Sequence, residues 1–279
     1  MEIVQRREPT DACRVFLLDQ LPRSEFLVSL LDEAQLILEV RDRGAVVGAA
    51  VGVESGHTLS GSKALVALLA DDDGVRRMLA QPLLTLTAGL GRLELFGPGD
   101  VAESVARDIA RLIGGWASRV MEQRLLICSE ALIPWHVAGW MRPMRPTDHP
   151  LVAGWMDAFA VEALGVNDTS REVWNAQLES VGSSMRLWER DGVPVAMAMG
   201  RLSTPVSHRI GPVYTPPSLR RRGYAAALTA HLTGAALERG AERVVLLTDA
   251  TNSTSNRVYV GVGYSDIDRH ANWVVTTAA

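Results

Sequence analysis

The chain has 279 residues, 47% of them hydrophobic and 22% charged, with a formal net charge of −4 at pH 7. That length favours two domains of ordinary size, each able to bury a core, and the composition excludes a disordered or fibrous chain. The small negative charge offers no overall attraction to nucleic acid or anionic lipid, so any basic site must be local and neither partner is expected. The first ten residues hold no apolar signal core, and the longest uncharged apolar runs, such as 45–53, are too short to span a bilayer; a cytoplasmic location is the expectation. Cys13 and Cys128 are too few for a disulfide framework and lack zinc-binding spacing, which predicts small buried hydrophobes.

In chain order, residues 10–31 carry apolar positions at helical spacing broken by Pro22, predicting two short helices. The runs 36–40 and 46–51 flank Arg41-Asp42-Arg43-Gly44 and predict a hairpin. Residues 64–69 read as a strand, 71–95 is ambiguous, and 100–116 reads as an amphipathic helix capped by Asp100 after Gly97-Pro98-Gly99. A strand at 124–128 closes the first half, and 134–140 crosses to the second, giving domains of 1–137 and 138–279. There, 141–146 predicts a strand and Thr147-Asp148 the N-cap of a helix through Leu164. A second hairpin spans 185–200. Its tip, Trp188-Glu189-Arg190-Asp191-Gly192, resembles Glu39-Val40-Arg41-Asp42-Arg43-Gly44 of the first. Either the first half is a worn copy of the second, or these are two unrelated hairpins, since Asp-Gly turns are common.

The segment 214–225 is the most informative: Tyr-Thr-Pro-Pro-Ser-Leu-Arg-Arg-Arg-Gly-Tyr-Ala. A β-rich run ends at Thr215, Pro216 and Pro217 forbid further ladder bonding, and Gly223 leads into an alanine-rich helix. The N–H groups of such a helix start have no intrahelical acceptors and converge on an anion, with Arg220, Arg221 and Arg222 adding charge. Downstream, 244–247 reads as a buried strand ending at Thr248 and Asp249. Asn252, Ser255, Tyr259, Gly263 and Tyr264 follow, Ser255 and Tyr259 sharing one face of a short helix that Gly263 caps.

Together these motifs resemble the GNAT family of N-acetyltransferases, whose acyl-CoA motif Arg/Gln-x-x-Gly-x-Gly/Ala is matched by Arg220, Gly223 and Ala225. The later Asn252, Ser255 and Tyr259 pattern is also similar, and the resemblance covers about 140–275. It implies a mixed α/β fold with a largely antiparallel twisted sheet flanked by helices; the elements before it read as a second αβ domain. It further implies an acetyl-CoA co-substrate bound by Val213, Tyr214, Thr215, Arg220, Arg221, Arg222, Gly223, Tyr224, Ala225, Asn252, Ser255 and Tyr259. By the same resemblance Tyr259 is the general acid for the departing thiolate, with Ser255 able to share the role. A primary amine is the implied acceptor, and association into homodimers is left open. For the general base the candidates are Glu162, Glu189 and His208, against a water relay or no dedicated base. A non-catalytic acyl-CoA-binding module and a transferase of longer acyl groups are the alternatives.

No Arg-x-x-Gly-x-Ala occurs before residue 140, so no second acetyl-CoA site is expected there, and Gly97-Pro98-Gly99-Asp100 reads as a helix entry rather than a ligand loop. Residues 56–63 nearly spell a P-loop, but Ser62 stands in the lysine place. The six histidines show no metal-binding spacing, so no metal is expected. The seven tryptophans, at 116, 135, 140, 155, 174, 188 and 273, are expected in cores or at a domain interface.

Overall fold

A computed structural model describes residues 1–54, 64–165, 178 and 182–278. The near P-loop at 56–63 and Trp174 lie outside the described residues. The chain forms two compact units, Met1–Arg124 with Asp268–Ala279, and Leu125–Ile267.

The first unit runs β1 (Glu2–Arg6), α1 (Asp11–Asp19), α2 (Glu25–Leu30), β2 (Leu36–Asp42), β3 (Ala45–Glu54), β4 (Ala64–Ala70), α3 (Asp73–Leu90), β5 (Arg92–Pro98), α4 (Gly99–Ile113) and most of β6 (Trp116–Cys128). Thr10 starts α1 by accepting the Cys13 N–H. The ambiguous stretch resolves into α3 and β5. Pro82 lies inside α3 and interrupts the helical signal without ending the helix. Asp100 is not the cap of α4: the helix starts at Gly99 without a side-chain cap, and the Asp100 carboxylate is held by Arg76 instead. The sheet has the order β1-β2-β3-β4-β5, then a strand from the far end of the chain, β12 (Ser265–Thr276). The β1–β2, β2–β3, β3–β4 and β5–β12 pairs are antiparallel and the β4–β5 pair is parallel. One core joins the sheet to α3 and α4 through Leu79, Leu83, Val101, Val105, Ile109 and Trp273. Cys13, Leu17 and Leu27 of α1 and α2 are fully buried, and burial pushes the Cys13 thiol up to about 12.

The second unit follows the end of β6 with β7 (Trp140–Pro143), α5 (His149–Phe159) and a wide π-helical turn (Ala160–Leu164). Then come β8 (Met185–Arg190), β9 (Val193–Thr204), β10 (Ser207–Tyr214), α6 (Tyr224–Glu238), β11 (Arg243–Asp249) and α7 (Ser253–Val262). Its strand order is β6-β11-β10-β9-β8-β7, with β10 and β11 parallel and β7 to β10 antiparallel. One core lies under α6 and α7, with Leu126, Trp188, Leu228, Val244, Leu246 and Tyr264. Another lies under α5, with Val152, Met156, Leu187, Met197 and Tyr214.

The two halves of the sequence, β1 to β6 and β7 to β12, repeat one plan: a strand, helical structure, three antiparallel strands, a helix, a parallel strand, a helix and a final strand. Even the hairpin turns agree. Arg43 and Gly44 have φ of 49° and 88°, and Asp191 and Gly192 have 51° and 76°, the left-handed pair that a two-residue turn needs to match the twist of its strands. A buried glutamate also recurs on the strand before each turn. Glu39 accepts from the N–H and hydroxyl of Thr10 and pairs with Arg41; Glu189 pairs with Arg142.

Asp148 stands at the N-cap of α5 as expected, but its side chain makes no cap bond to that helix. Its carboxylate accepts from Arg142 at 2.6 and 3.0 Å and from the Arg145 N–H at 2.7 Å, tying the entrance of α5 to β7. The Arg142 guanidinium holds the Asp148 carboxyl below its usual value. At Glu39 burial pushes upward, but the Thr10 donors and Arg41 outweigh it and the carboxyl again lies low. A carboxylate depressed in the fold stabilises it above the unfolded value, roughly pH 4, and ceases to as pH falls through the folded value. Urea midpoints are therefore expected to hold steady from pH 7 to about 5 and to drop steeply below about 4, with Asp148→Asn starting lower and showing a shallower acid drop. A midpoint independent of pH down to about 3 would contradict this assignment.

Half of the six described tryptophans meet the expectation of a core position: Trp188 and Trp273 are buried and Trp155 packs on the core under α5. Trp116, Trp135 and Trp140, on strand starts and the connecting segment, are exposed, Trp135 at 92%.

Candidate functional site

The site starts from a break in the sheet of the second unit. The parallel ladder between β10 and β11 comprises Ser207–Arg243, His208–Val244 and Arg209–Val245 and goes no further. Beyond it β10 carries a bulge, with one extra residue between Ile210 and Val213 opposite β9, at Gly211-Pro212, where proline has no N–H to donate. Between Arg209 and Tyr214 β10 thus keeps its β9 partner and loses its β11 partner. Backbone groups on that side are free to pair with an extended ligand. Next along the chain, the Thr215 hydroxyl oxygen is buried and has no hydrogen-bond partner among the described residues.

The turn that follows leads into α6 through two left-handed residues. Arg221 and Gly223 both take left-handed conformations, φ 61° and 81°, which curl successive N–H groups inward. Helix α6 has no side-chain cap, and its first backbone bond runs from the Ala227 N–H to the Gly223 carbonyl. The N–H groups of Tyr224, Ala225 and Ala226 precede it, pointing out of the helix start with the positive end of its dipole. Gly223 is required twice over: its backbone is left-handed, and a Cβ there would lie 2.9 Å from Cγ2 of Val137.

The three adjacent arginines do not act alike. Arg220 turns toward the α5 side. Its Nε donates to the Thr215 carbonyl at 2.8 Å, its Nη2 pairs with Glu162, and the guanidinium sits 5.6 Å from the centre of the Tyr214 ring. The Tyr214 hydroxyl donates to the other Glu162 oxygen at 3.0 Å; burial, then Glu162, raises the Tyr214 phenol above its usual range. The Tyr224 phenol on the α6 side accepts from Arg190 of the β8–β9 hairpin at 2.9 Å, and Arg190 is the main cause that lowers its pKa. Arg190 was not singled out from sequence. The hairpin register carries the signal, because it sets the turn at the same sheet end as Tyr214.

On the other wall, Asn252 caps α7, its Oδ1 accepting the Ser255 N–H at 3.0 Å and leaving its amide nitrogen free of that bond. Gly263 ends the helix in a left-handed conformation. Tyr259 packs on the same apolar cluster as Val213 and Leu219 from the cradle side, its ring 6.1 Å from that of Tyr264. Burial pushes its phenol up to about 12. Tyr264 is structural, sharing a 2.7 Å hydrogen bond with Thr233. Of the base candidates, Glu162 is engaged by Tyr214 and Arg220, and Glu189 by Arg142. His208 stands six residues before Tyr214 on β10, about 20 Å along the strand, and burial, then Arg239, lowers its pKa.

The matching place in the first unit is built against an anion. Two residues, Asp71 and Asp72, join β4 to α3, where nine, Thr215 to Gly223, join β10 to α6. Asp71, Asp72 and Asp73 stand in place of arginines. The Asp72 carboxylate itself takes the N–H groups of Gly74 and Val75 at 2.6 and 3.2 Å, so the helix start is already satisfied.

A parted parallel strand pair beside an uncapped, glycine-led helix start can receive an extended ligand that carries an anion. Residues 153–264 match the model of the acetyltransferase (GNAT) family, and this part of the chain is a GNAT domain. In fold the chain is similar to a GCN5-related N-acetyltransferase from Sphaerobacter thermophilus, with TM-score 0.66 and 17% identity over 98% of this chain and 95% of that one. It is also similar to a GCN5-related N-acetyltransferase from Kribbella flavida, at 0.60 and 19% over 92% and 95%. A tandem GNAT protein from the clavulanic acid biosynthesis pathway matches at 0.57 and 15% over 100% and 99%. None of the curated proteins compared matches the chain. Among the described residues, no helix is long and apolar enough to cross a membrane and no three potential metal-binding side chains gather.

Proposed function

We propose that the chain transfers an acetyl group from acetyl-CoA to a primary amine by direct attack on the thioester. The observation that carries this reading is the parting of β10 from β11 directly before an uncapped helix start, with Tyr259 on the same apolar cluster. The N–H groups from Arg221 to Ala225 hold the diphosphate. The free side of β10, continued by Thr215, pairs with the pantetheine arm as an added strand, and an N–H near Val213 or Tyr214 receives the tetrahedral oxyanion. Acetyl-CoA, when bound, supplies the activated acyl group.

Tyr259 faces the departing sulfur in this reading, with Ser255 one turn away on the same helical face and Asn252 offering its amide to the cofactor. A phenol pushed up to about 12 is protonated at every physiological pH. Full transfer to a thiolate of conjugate-acid pKa about 8.5 is uphill, so the phenol acts chiefly as a hydrogen-bond donor to charge developing on sulfur. Glu162 is committed to Arg220 and Tyr214, and His208 lies far along β10; the ammonium of the acceptor therefore loses its proton through water. The first unit is read as a copy of the same fold whose cofactor site Asp72 has closed.

An amine screen that follows free CoA release tests the reading, spanning peptide N-termini, lysine side chains, aminoglycosides and polyamines. Turnover of an amine with acetyl-CoA supports it. Acetyl-CoA binding without turnover of any amine would make the protein a binding module, and faster turnover with propionyl- or succinyl-CoA would reassign the donor.

A further inference from the structure

The face of β9 and β10 that lies toward α5 carries a polar cluster outside the transfer chemistry. Met197 and Met199 of β9 pack on the core under α5, so Arg201, two residues further on, projects from that same face. Its register partner on β10 is Arg209, which shares the face. The adjacent Gly200 and Ile210 turn the other way, toward Leu232 of α6. Both arginines are partly buried, and the Arg201 Nε is closed off from solvent without a hydrogen-bond partner. Ser207 lies two residues before Arg209 on the same face; it is fully buried, and its hydroxyl is likewise unpartnered. Desolvated, unbonded donors destabilise a fold, and like charges directly opposite on one face add to that. An anion accepting from these groups reverses both effects. The cluster sits where the strands part: Arg209 with Val245 is the last rung of the β10–β11 ladder, and the gap opens directly beyond it. Helices α6 and α7 cover the opposite face, which leaves the α5 face to a molecule approaching the thioester.

We propose that Arg201, Arg209 and Ser207 form a carboxylate subsite for the acceptor, so that the amine acetylated by this chain belongs to a molecule that also carries a carboxylate. The inference rests on the acetyl-transfer reading above and narrows its acceptor. Two planar forks side by side suit the two oxygens of one carboxylate, and the serine hydroxyl donates to a remaining lone pair. Register sets the spacing. From Arg209 to Val213, beside the oxyanion in that reading, β10 runs four residues, about 13 Å, part of which the arginine side chains span. The carboxylate therefore lies several bonds from the reacting nitrogen, as in an ω-amino acid, the side-chain amine of free lysine or the N-terminus of a short peptide. Polyamines and aminoglycosides carry cations toward cations here and are disfavoured.

Initial rates with acetyl-CoA and either 6-aminohexanoate or 6-aminohexanamide test it, since the two amines differ in the carboxylate and little else; thermal melts check folding. If the parent protein acetylates neither of these nor any amine of the wider screen, the transfer reading falls and this inference with it. If it acetylates amines, kcat/KM is expected to be at least about tenfold higher for the carboxylate than for the amide. Arg201→Met should then raise KM for the carboxylate about tenfold, with KM for acetyl-CoA and for the amide unchanged, so that the preference falls toward unity. Arg201→Lys should keep part of it. Both amines are compared on one preparation of each variant, so a loss of folded protein cancels from the ratio. A parent that acetylates the two equally, or turns over only amines without a carboxylate, overturns the subsite. A folded Arg201→Met that keeps the parent's preference does the same.

Discussion

Replacing Gly223 by glutamate is expected to abolish CoA binding, raising Kd about a thousandfold or more, while leaving a folded protein. Three costs add. The left-handed backbone, φ 81°, disfavours any side chain by about 1–2 kcal/mol. The new Cβ would sit 2.9 Å from Val137 and push that side chain away from the cradle. The carboxylate would compete with the diphosphate for the helix N–H groups, as Asp72 does at the start of α3, and repel it besides. Gly223→Ala carries the first two costs without the third and is expected to weaken binding only about tenfold. Calorimetry, with near-ultraviolet circular dichroism to confirm packing, checks both. A Gly223→Glu protein that binds CoA with near-parent affinity would place the phosphates elsewhere.

Tyr259→Phe is expected to lower kcat about a hundredfold, at the low end of what a positioned proton donor contributes, with CoA affinity changed less than about twofold. The ring packing is kept, since only the hydroxyl is removed from a cluster that holds the ring. The pH profile adds a second reading. With the phenol pushed up to about 12, its loss of a proton cannot produce any fall in rate below about pH 10. An alkaline limb near neutral pH would have to come from another group and should persist in the phenylalanine variant. Unchanged kcat would remove Tyr259 from the chemistry.

What could be read from the sequence was local. The turn from Thr215 to Gly223 and the start of α6 were legible because proline, arginine and glycine stand side by side there and each constrains its own backbone. The two hairpins were legible because Arg43-Gly44 and Asp191-Gly192 are turn chemistry in themselves. Distant partners were not. Asp100 and Asp148 look like helix caps beside their helices, yet Arg76 and Arg142 claim their carboxylates from other elements. Arg220, Arg221 and Arg222 are equivalent in a string of letters; the structure separates them, because Glu162, from the turn after α5, claims Arg220. Helix α3 was obscured by Pro82, which its neighbours tolerate. The repeat of the whole plan was visible only at the hairpin tips, since the chemistry that would have marked it, the cradle, is replaced by aspartates in the first unit.

The division of the chain into units that are not continuous in sequence bears on how the protein is made. Strand β12 pairs along β5, from His270 opposite Pro98 to Thr276 opposite Arg92, so that side of β5 stays unpaired until residues 268–276 exist. All of 125–267 must be synthesised first. The usual sequence, in which an N-terminal domain closes before the next emerges, cannot be completed here. During translation β5 presents an unpaired strand edge, a template for misassembly, and the GNAT domain is finished before the unit that precedes it.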